Sequence, residues 1–256
     1  WGDLDNDGDF DLVVANLAHP RFFNFSDKSQ VLLNNGKGKL TDAQGDWLQG
    51  NGAPWGKAGL RFQETHSVPV LADFDNDGKL DLAISCVYDG RPSDFYWGNG
   101  DGTFTLDVLH TGLAVDNGWG MAAADFDGDG DVDLAAKGAL YTNRIGEAKV
   151  GGKTKGKWLQ IRARGTKKAN RSAIGATIRV IAGKKSWLRH VNGGTGQGCQ
   201  DSLVAHFGLG EVAQVESVEI DYPGAGKVTF KGPFEAGQRL WLFEDGKVHK
   251  GIAPPK

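Results

Sequence analysis

Apolar residues occur along this chain in short runs that are separated by turns rich in Gly, Asn and Asp. In the second half the runs alternate apolar with polar positions, which is typical of strands with one buried face. The segments with this pattern are KWLQIRARG, GATIRVIAG, KSWLRHVN, SLVAHFG, VESVEIDYP, KVTFKG and RLWLFED. No apolar run approaches the about 18 residues that a membrane-spanning helix needs. The pattern predicts an all-β protein that is not transmembrane.

The first half repeats one unit, which consists of a strand, an acidic loop, a second strand, a variable loop and a hairpin. The acidic loops are DLDNDGDFDL, DFDNDGKLDL and DFDGDGDVDL, and they begin at Asp3, Asp73 and Asp125. The segments VLLNNGKGKL and FYWGNGDGTF each place apolar residues on both sides of an Asn-Gly turn, which is a strong hairpin signal. About four short strands per unit predict the blades of a β-propeller.

Charge and composition divide the chain into two domains. Residues 1–136 contain 8 Lys and Arg against 23 Asp and Glu, whereas residues 137–256 contain 21 against 9. A Gly/Lys-rich stretch between the halves is typical of a linker. We therefore expect an incomplete propeller segment at 1–143, a linker at 144–156 and a β-sandwich domain at 157–250.

The acidic loops follow the pattern D-x-D-x-D-G-x-x-D, in which alternate side chains point toward one centre and the Gly permits a sharp turn. Carboxylates this close tolerate one another only when a cation or several donors lie among them, and Ca²⁺ prefers such oxygen ligands. The sequence predicts three Ca²⁺ sites. Their side-chain ligands are Asp3, Asp5, Asp7 and Asp11, Asp73, Asp75, Asp77 and Asp81, and Asp125, Asp127, Asp129 and Asp133. Their backbone carbonyl ligands are those of Asp9, Lys79 and Asp131.

An EF-hand is the alternative for such loops, but it requires an acidic residue at position 12 and flanking helices. Position 12 is Val14, Ile84 or Ala136, and the flanking segments are β-like. No acidic loop follows Asp133, so we expect calcium to stabilise the first half and to leave the second nearly unchanged.

The first half resembles the FG-GAP or VCBS repeat of integrin-like β-propellers, through DLDNDGDFDLVVAN, VLADFDNDGKLDLAIS and AAADFDGDGDVDLAAK. The second half resembles the ASPIC and UnbV-type domain that follows such propellers in the cartilage acidic protein family. The segments that carry this likeness are NRSAIGATIRVIAG, GTGQGCQDSLVAHFGLG and VESVEIDYPGAGKV. The resemblance implies a secreted, periplasmic or cell-surface protein with calcium in its blade loops and no catalytic residues. A closed propeller of this family has more blades, so the resemblance also implies upstream blades or another chain that completes the ring.

Polar insertions between the strands suggest a ligand pocket on the propeller face away from the acidic loops. Its candidate residues are His19, Arg21, Asp27, Glu64, His66, Asn117 and Trp119. The other interpretation is that these groups satisfy the backbone of their own loops. The favoured function is a calcium-binding interaction or scaffolding module. A polysaccharide lyase on a calcium-loaded propeller, or a structural subunit of a surface assembly, remains an alternative.

A basic segment begins within the linker and predicts attraction to an acidic polymer, to an anionic lipid surface or to the acidic first half of the chain. The expected partner is a protein or an acidic polysaccharide rather than a nucleic acid. Its candidate residues are Lys153, Lys155, Lys157, Lys167, Lys168 and Arg171. A solvated basic surface is the plainer interpretation. Cys86 and Cys199 are too few for a disulfide framework, and the sequence leaves open whether they form a bridge or two separate thiols. The chain starts at Trp1, which suggests a processed product or a fragment.

Overall fold

The computed structural model describes residues 1–17, 27–45, 56–145, 155–196 and 198–253. Within these ranges the regular secondary structure consists of β-strands. The strands of the first half are β1 (Leu12–Val14), β2 (Gln30–Asn34), β3 (Leu40–Asp42), β4 (His66–Ala72), β5 (Asp81–Cys86), β6 (Asp94–Gly98), β7 (Phe104–Leu106), β8 (Met121–Ala124), β9 (Asp133–Ala136) and β10 (Ala139–Tyr141). Those of the second half are β11 (Lys157–Arg164), β12 (Thr177–Ala182), β13 (Lys185–His190), β14 (Ala205–Gly210), β15 (Gln214–Tyr222), β16 (Gly226–Glu235), β17 (Gln238–Phe243) and β18 (Val248–Lys250).

Three antiparallel sheets form the first half, with the strand orders β1-β2-β3, β4-β5-β6-β7 and β8-β9-β10. We call them the first, second and third sheets. The second sheet contains the whole predicted unit, because β4 enters the acidic loop, β5 leaves it, and β6 and β7 form the hairpin. Both Asn-Gly hairpins are confirmed: Asn34 pairs with Leu40, and Gly98 pairs with Phe104. The all-β propeller arrangement is therefore as predicted.

The sheets pack face to face, with the second between its neighbours. Every residue of β5 is buried, because side chains on opposite faces of a strand enter two different hydrophobic clusters. Leu82 packs in one cluster with Val31 of the first sheet. Phe95 packs in the other with Met121 of the third sheet. This stacking places the three acidic loops at neighbouring positions along one edge of the sheets.

Two four-stranded sheets form the second half, with the orders β14-β11-β17-β18 and β13-β12-β15-β16. Strands β11 and β17 are parallel, and the other pairs are antiparallel. Ile161 and Phe207 from one sheet share a hydrophobic cluster with Ile178 and Ile220 from the other. We call this part the C-terminal unit. It contains all seven predicted strands and one that was not predicted, β18.

The predicted linker lies largely at residues 146–154, outside the described ranges, so the domain boundaries stay predictions. Among the described residues, Cys86 is buried in the second sheet and no disulfide joins it to Cys199. In the same part of the chain, no helix is long and apolar enough to cross a membrane.

Candidate metal centres

The three acidic loops (the first at residues 3–11, the second at 73–81 and the third at 125–133) share one local structure. In the second loop, Asp81 accepts hydrogen bonds from two backbone amides, that of Phe74 to Oδ2 at 2.9 Å and that of Gly98 to Oδ1 at 2.8 Å. The last Asp of the motif therefore joins the start of its loop to the neighbouring hairpin strand. The equivalent bonds run from Leu4 and Asn34 to Asp11, and from Phe126 and Asn143 to Asp133.

Turn hydrogen bonds fix the middle of each loop. In the second loop the amide of Asp77 donates to Asp75 Oδ1 at 3.2 Å, and the amide of Lys79 donates to Asp77 Oδ1 at 2.9 Å. Gly78 has a φ of +94°, and its amide donates to Asp73 Oδ2 at 2.8 Å. Such a φ favours glycine, which explains the Gly at this position of the motif.

Each loop brings three carboxylates together, with ligand oxygens that lie within 4.8 Å of one another. The groups are Asp3, Asp5 and Asp11, Asp73, Asp75 and Asp81, and Asp125, Asp127 and Asp133. These are the first, second and last Asp of each motif. The third Asp, which is Asp7, Asp77 or Asp129, lies outside these groups. Its role as a ligand, and those of the carbonyls of Asp9, Lys79 and Asp131, stay predictions.

Burial makes these carboxylates costly to hold as anions. Loss of solvent is the main cause that raises the pKa of Asp3 to about 6 and that of Asp73 to about 8, and it raises the pKa of Asp81 well above its usual range. Both carboxylate oxygens of Asp3 and Oδ1 of Asp73 are buried and have no hydrogen-bond partner. Unsatisfied buried oxygens of this kind fit a cation.

The third loop is the most open of the three, since Asp127 and Asp129 are exposed. Asp131, by contrast, is buried and pairs with Lys155, with 3.0 Å between Oδ1 and Nζ. Burial outweighs this ion pair and raises the pKa of Asp131 to about 6. The side chain of Asp131 therefore joins the third loop to the C-terminal unit.

The C-terminal unit contributes polar groups to the loops that the sequence did not indicate. Gln160 Nε2 donates to Asp125 Oδ2 at 2.7 Å, and Arg179 Nη2 donates to the carbonyl of Gly8 at 2.8 Å. Burial lowers the pKa of Arg189, and the negative charges of Asp73 and Asp3 nearby partly oppose this effect. No sequence signal could have found these residues, because polar positions in an alternating strand predict a solvent-facing side.

A cavity of about 300 Å³ lies where the three sheets meet the C-terminal unit. Its lining includes Asp73, Asp125, Arg189 and His206 together with apolar side chains. A second cavity, of about 260 Å³, lies between the second and third sheets and is lined mainly by apolar groups such as Trp97.

The predicted ligand pocket requires a correction at His66. His66 is fully buried between the first and second sheets. Its Nδ1 lies 2.9 Å from Ser29 Oγ, and its Nε2 lies 3.1 Å from Asp94 Oδ2. Asp94 also accepts hydrogen bonds from Arg61 and from the hydroxyl of Tyr96. His66 is therefore an interior residue of a polar network and not part of a surface pocket.

Ser29, His66 and Asp94 are the residue types of a hydrolytic triad, but the imidazole is turned the other way, with Nδ1 toward the serine and Nε2 toward the aspartate. The surroundings of the three residues also favour a structural role. Ser29 is buried, and its Oγ accepts the backbone amide of Asn16 at 3.1 Å. Hydrogen bonds from His66 and Arg61 lower the pKa of Asp94 against the effect of its burial. A nucleophile must reach its substrate, and this hydroxyl is closed off. The network instead holds the first and second sheets together.

Of the other predicted pocket residues, those that the structure describes (Asp27, Glu64, Asn117 and Trp119) line neither cavity. Glu64 pairs with Arg91 at 2.5 Å, and Asn117 Nδ2 donates to Asp89 at 2.9 Å. Trp119 and Asp27 are exposed. Residues His19 and Arg21 lie outside the described residues. Both contacts join side chains of different loops, so they are not the contacts within one loop that the other interpretation expects, and the pocket stays a prediction.

The basic segment divides into contacts of different kinds. Lys155 reaches the third loop, whereas Lys157 Nζ donates to the carbonyl of Glu211 at 2.9 Å. The amides of Lys167 and Lys168 each donate to Glu244 at 2.8 Å, which leaves their side chains exposed. Arg171 is also exposed, and Lys153 lies outside the described residues.

Models of two known families match this chain, one on each side of the predicted linker. Residues 3–84 and 73–136 match the model of the FG-GAP-like repeat, and together these matches cover more than half of the chain. Residues 165–249 match the model described as ASPIC and UnbV.

Among curated proteins, cartilage acidic protein 1 of Xenopus tropicalis is 33% identical over 164 residues, which are 60% of this chain and 25% of that protein. The protein of the same name from Homo sapiens is 30% identical over 164 residues, with 60% and 24% covered. The chain thus spans about a quarter of the length of these relatives. A solved structure of a Bacteroides uniformis protein with a proposed role in cell adhesion aligns over 74% of this chain and 90% of its own, at 12% identity. Its TM-score is 0.25, so this likeness carries no argument.

Proposed function

The chain belongs to the FG-GAP-like repeat family, and from this membership and its acidic loops we propose that it is a calcium-binding interaction module. The observation that carries the proposal is the convergence of three carboxylates in each of three loops, with oxygens within 4.8 Å. We propose no catalytic residue for it. Its proposed location is outside the cell or on the cell surface.

The ligand chemistry favours Ca²⁺ over other divalent ions. The converging groups are all carboxylate oxygens, which are ligands for hard cations, and Ca²⁺ accepts six to eight oxygens in a flexible geometry. Mg²⁺ demands a near-ideal octahedron and usually keeps several waters. The first, second and last Asp of each loop would hold the ion, and its positive charge would compensate the buried carboxylates. Unpartnered oxygens on Asp3 and Asp73 support this assignment.

The proposed partners are a protein or an acidic polysaccharide. Two observations support such a role: the relatives carry the name of a cartilage protein, and Lys167, Lys168 and Arg171 present exposed positive charge. The alternative of a polysaccharide lyase needs an accessible basic or histidine cluster. Among the described residues, the buried position of His66 gives that alternative no support.

Calcium stoichiometry tests the proposal. Calorimetric titration of metal-free protein should give three ions per chain. We expect Asp127→Asn, in the open third loop, to reduce the number to two or to weaken one site strongly. Asp101→Asn removes an exposed carboxylate of a hairpin turn outside the loops and should leave three sites. Zero or one site in the unchanged protein, or equal behaviour of the two variants, would contradict the assignment.

A further inference from the structure

The C-terminal unit touches all three acidic loops. Arg179 donates to the carbonyl of Gly8 in the first loop at 2.8 Å. The amide of Gly210 donates to the carbonyl of Asn76 in the second loop at 2.8 Å, and Gln160 donates to Asp125 in the third at 2.7 Å. One surface of the C-terminal unit is therefore fitted to the loops in their folded conformation.

The turn glycines show how close this fit is. A Cβ added to Gly78 would lie 2.7 Å from Nε1 of Trp187, and one added to Gly130 would lie 1.9 Å from Cε2 of Trp158. Both glycines have a positive φ, of +94° and +89°. The two indole side chains thus pack directly against the backbone of the loop turns. These contacts are kept only while each loop keeps its turn.

A hydrogen-bond network centred on a neutral histidine crosses the junction. Burial is the main cause that lowers the pKa of His206 to about 3, so its ring is neutral. Its Nε2–H donates to Asn76 Oδ1 at 2.5 Å, and Asn76 Nδ2 donates to the carbonyl of Gly130 at 3.2 Å. Gln160, which contacts His206 at 3.3 Å, also receives a bond from Arg239 at 2.7 Å. The network joins the second and third loops through the C-terminal unit.

Removal of cations from the loops would have two opposing effects on this junction. Bare carboxylates would attract the positive groups of the C-terminal unit, but they would also repel one another and disfavour the loop turns. Most contacts involve backbone atoms or neutral side chains, and few are ion pairs: Lys155 with Asp131 at 3.0 Å and Arg239 with Asp125 at 3.7 Å. Arg189 adds attraction to Asp73 and Asp3, but most of the hydrogen bonds across the junction need the turns of the loops and not the charge of their carboxylates.

We propose that cation binding in the acidic loops controls the docking of the C-terminal unit on the propeller segment. This inference rests on the proposed calcium binding and extends it to the second half of the chain, which contains no acidic loop. Loaded loops present the carbonyls and turns that the C-terminal unit recognises. Unloaded loops lose that shape, and the unit is released from them.

Hydrogen exchange of the full chain, with saturating Ca²⁺ or after metal removal, tests the coupling. The informative amides are those of Gly156 and Gly210, because they donate across the junction to the carbonyls of Asp75 and Asn76 at 2.8 Å. We expect their exchange to become about tenfold faster or more without calcium, as opening at the junction becomes less costly. Amides of β16, which lies at the far edge of its sheet, should change little.

A variant tests the reverse direction, because coupling between two equilibria is reciprocal. Arg179→Met removes the bond to the first loop without touching a carboxylate, and it should weaken calcium affinity while three sites remain. Lys227→Met is the control. It removes one positive charge from an exposed pair with Glu219, in the sheet that also contains Arg179. The calcium affinity of this variant should match that of the unchanged protein.

Three results distinguish this inference from the function on which it rests. Calcium binding with calcium-dependent protection at Gly156 and Gly210, and with weaker affinity in Arg179→Met alone, supports both. Calcium binding with unchanged protection at both glycines overturns the inference and leaves the proposed function intact. If no calcium binds, both fail.

Discussion

The contact between the third acidic loop and Trp158 can be tested with one methyl group. Gly130→Ala places a Cβ 1.9 Å from Cε2 of Trp158, at a residue whose φ is +89°. Gly138→Ala is the matched control. Gly138 lies in the turn between β9 and β10 with a φ of +75°, and apart from its own chain neighbours no heavy atom of the described residues lies within 4 Å of the added Cβ. The pair therefore separates backbone strain from steric contact.

The expected losses of stability follow from the backbone strain and from the steric contact. A left-handed backbone costs a residue with a Cβ about 1–2 kcal/mol, and both variants carry this cost. Overpacking of a close contact adds about 1–3 kcal/mol, and only Gly130→Ala carries it. We therefore expect the free energy of unfolding to fall by about 1–2 kcal/mol in Gly138→Ala and by about 2–5 kcal/mol in Gly130→Ala.

Urea unfolding at saturating calcium, followed by circular dichroism and by tryptophan emission, measures both losses. Calcium titration of both variants should accompany it, since Gly130 is the turn of a candidate metal loop and a lost ion would add to its effect. If both variants keep three calcium sites and lose the same free energy of unfolding, Trp158 does not pack against the third loop in solution. The steric argument would then be refuted.

Three further predictions concern other parts of the molecule. Asp94→Asn should cost about 3–5 kcal/mol in urea unfolding, because it leaves a partly buried guanidinium without its carboxylate, whereas Asp116→Asn, in an exposed pair, should leave the midpoint nearly unchanged; similar losses would contradict the structural role of the buried network. Without calcium, thermal stability should rise as pH falls from about 8 toward about 4, because the raised pKa values of Asp3 and Asp73 make the folded chain bind protons more tightly than the unfolded chain. The stabilisation by calcium should therefore be larger at the upper end of this range, and an equal increment at both ends would refute the reasoning. Tyr222→Phe removes a buried hydroxyl that donates to a strand carbonyl at 2.8 Å and should cost about 1 kcal/mol in urea unfolding, so an unchanged midpoint would argue against that bond.

Local signals in the sequence predicted much of the first half. The Asn-Gly turns specified both hairpins, since a tight turn determines how its flanking strands pair. The spacing of the acidic motif predicted four converging carboxylates in each loop, and the first, second and last of them lie together. Neighbours in one loop need no distant part of the chain to meet, which is why a local pattern could indicate them. Strand β18 was missed for a related reason. It has three residues and pairs only with β17, and so short a run contains too few positions to show an alternation.

The contacts at the junction could not be predicted because they join distant parts of the chain. In β11 the alternation of apolar and polar residues predicted that Gln160 and Arg162 face solvent. Both are buried, with 1% and 8% of their surface exposed. Gln160 faces the third loop, and Arg162 donates to backbone carbonyls such as that of Ser172 at 2.9 Å. Alternation identifies which face of a strand is polar, but it cannot show that another polar surface covers that face.

The opposite charges of the two halves invite the view that electrostatic attraction docks them, but the contacts favour shape. The described junction contains few direct ion pairs, and the ammonium group of Lys155 is partly exposed, so that salt screens its attraction to Asp131. Backbone carbonyls, turn glycines and a neutral histidine form most of the rest, and none of these loses its partner when salt rises. They lose it when the loops change conformation. The loops hold carboxylates that repel one another unless a cation lies among them, so the contacts of the C-terminal unit depend on what the loops bind. For this reason the absence of acidic loops beyond Asp133 does not isolate the second half from calcium: its strands pack on the surface that calcium would shape.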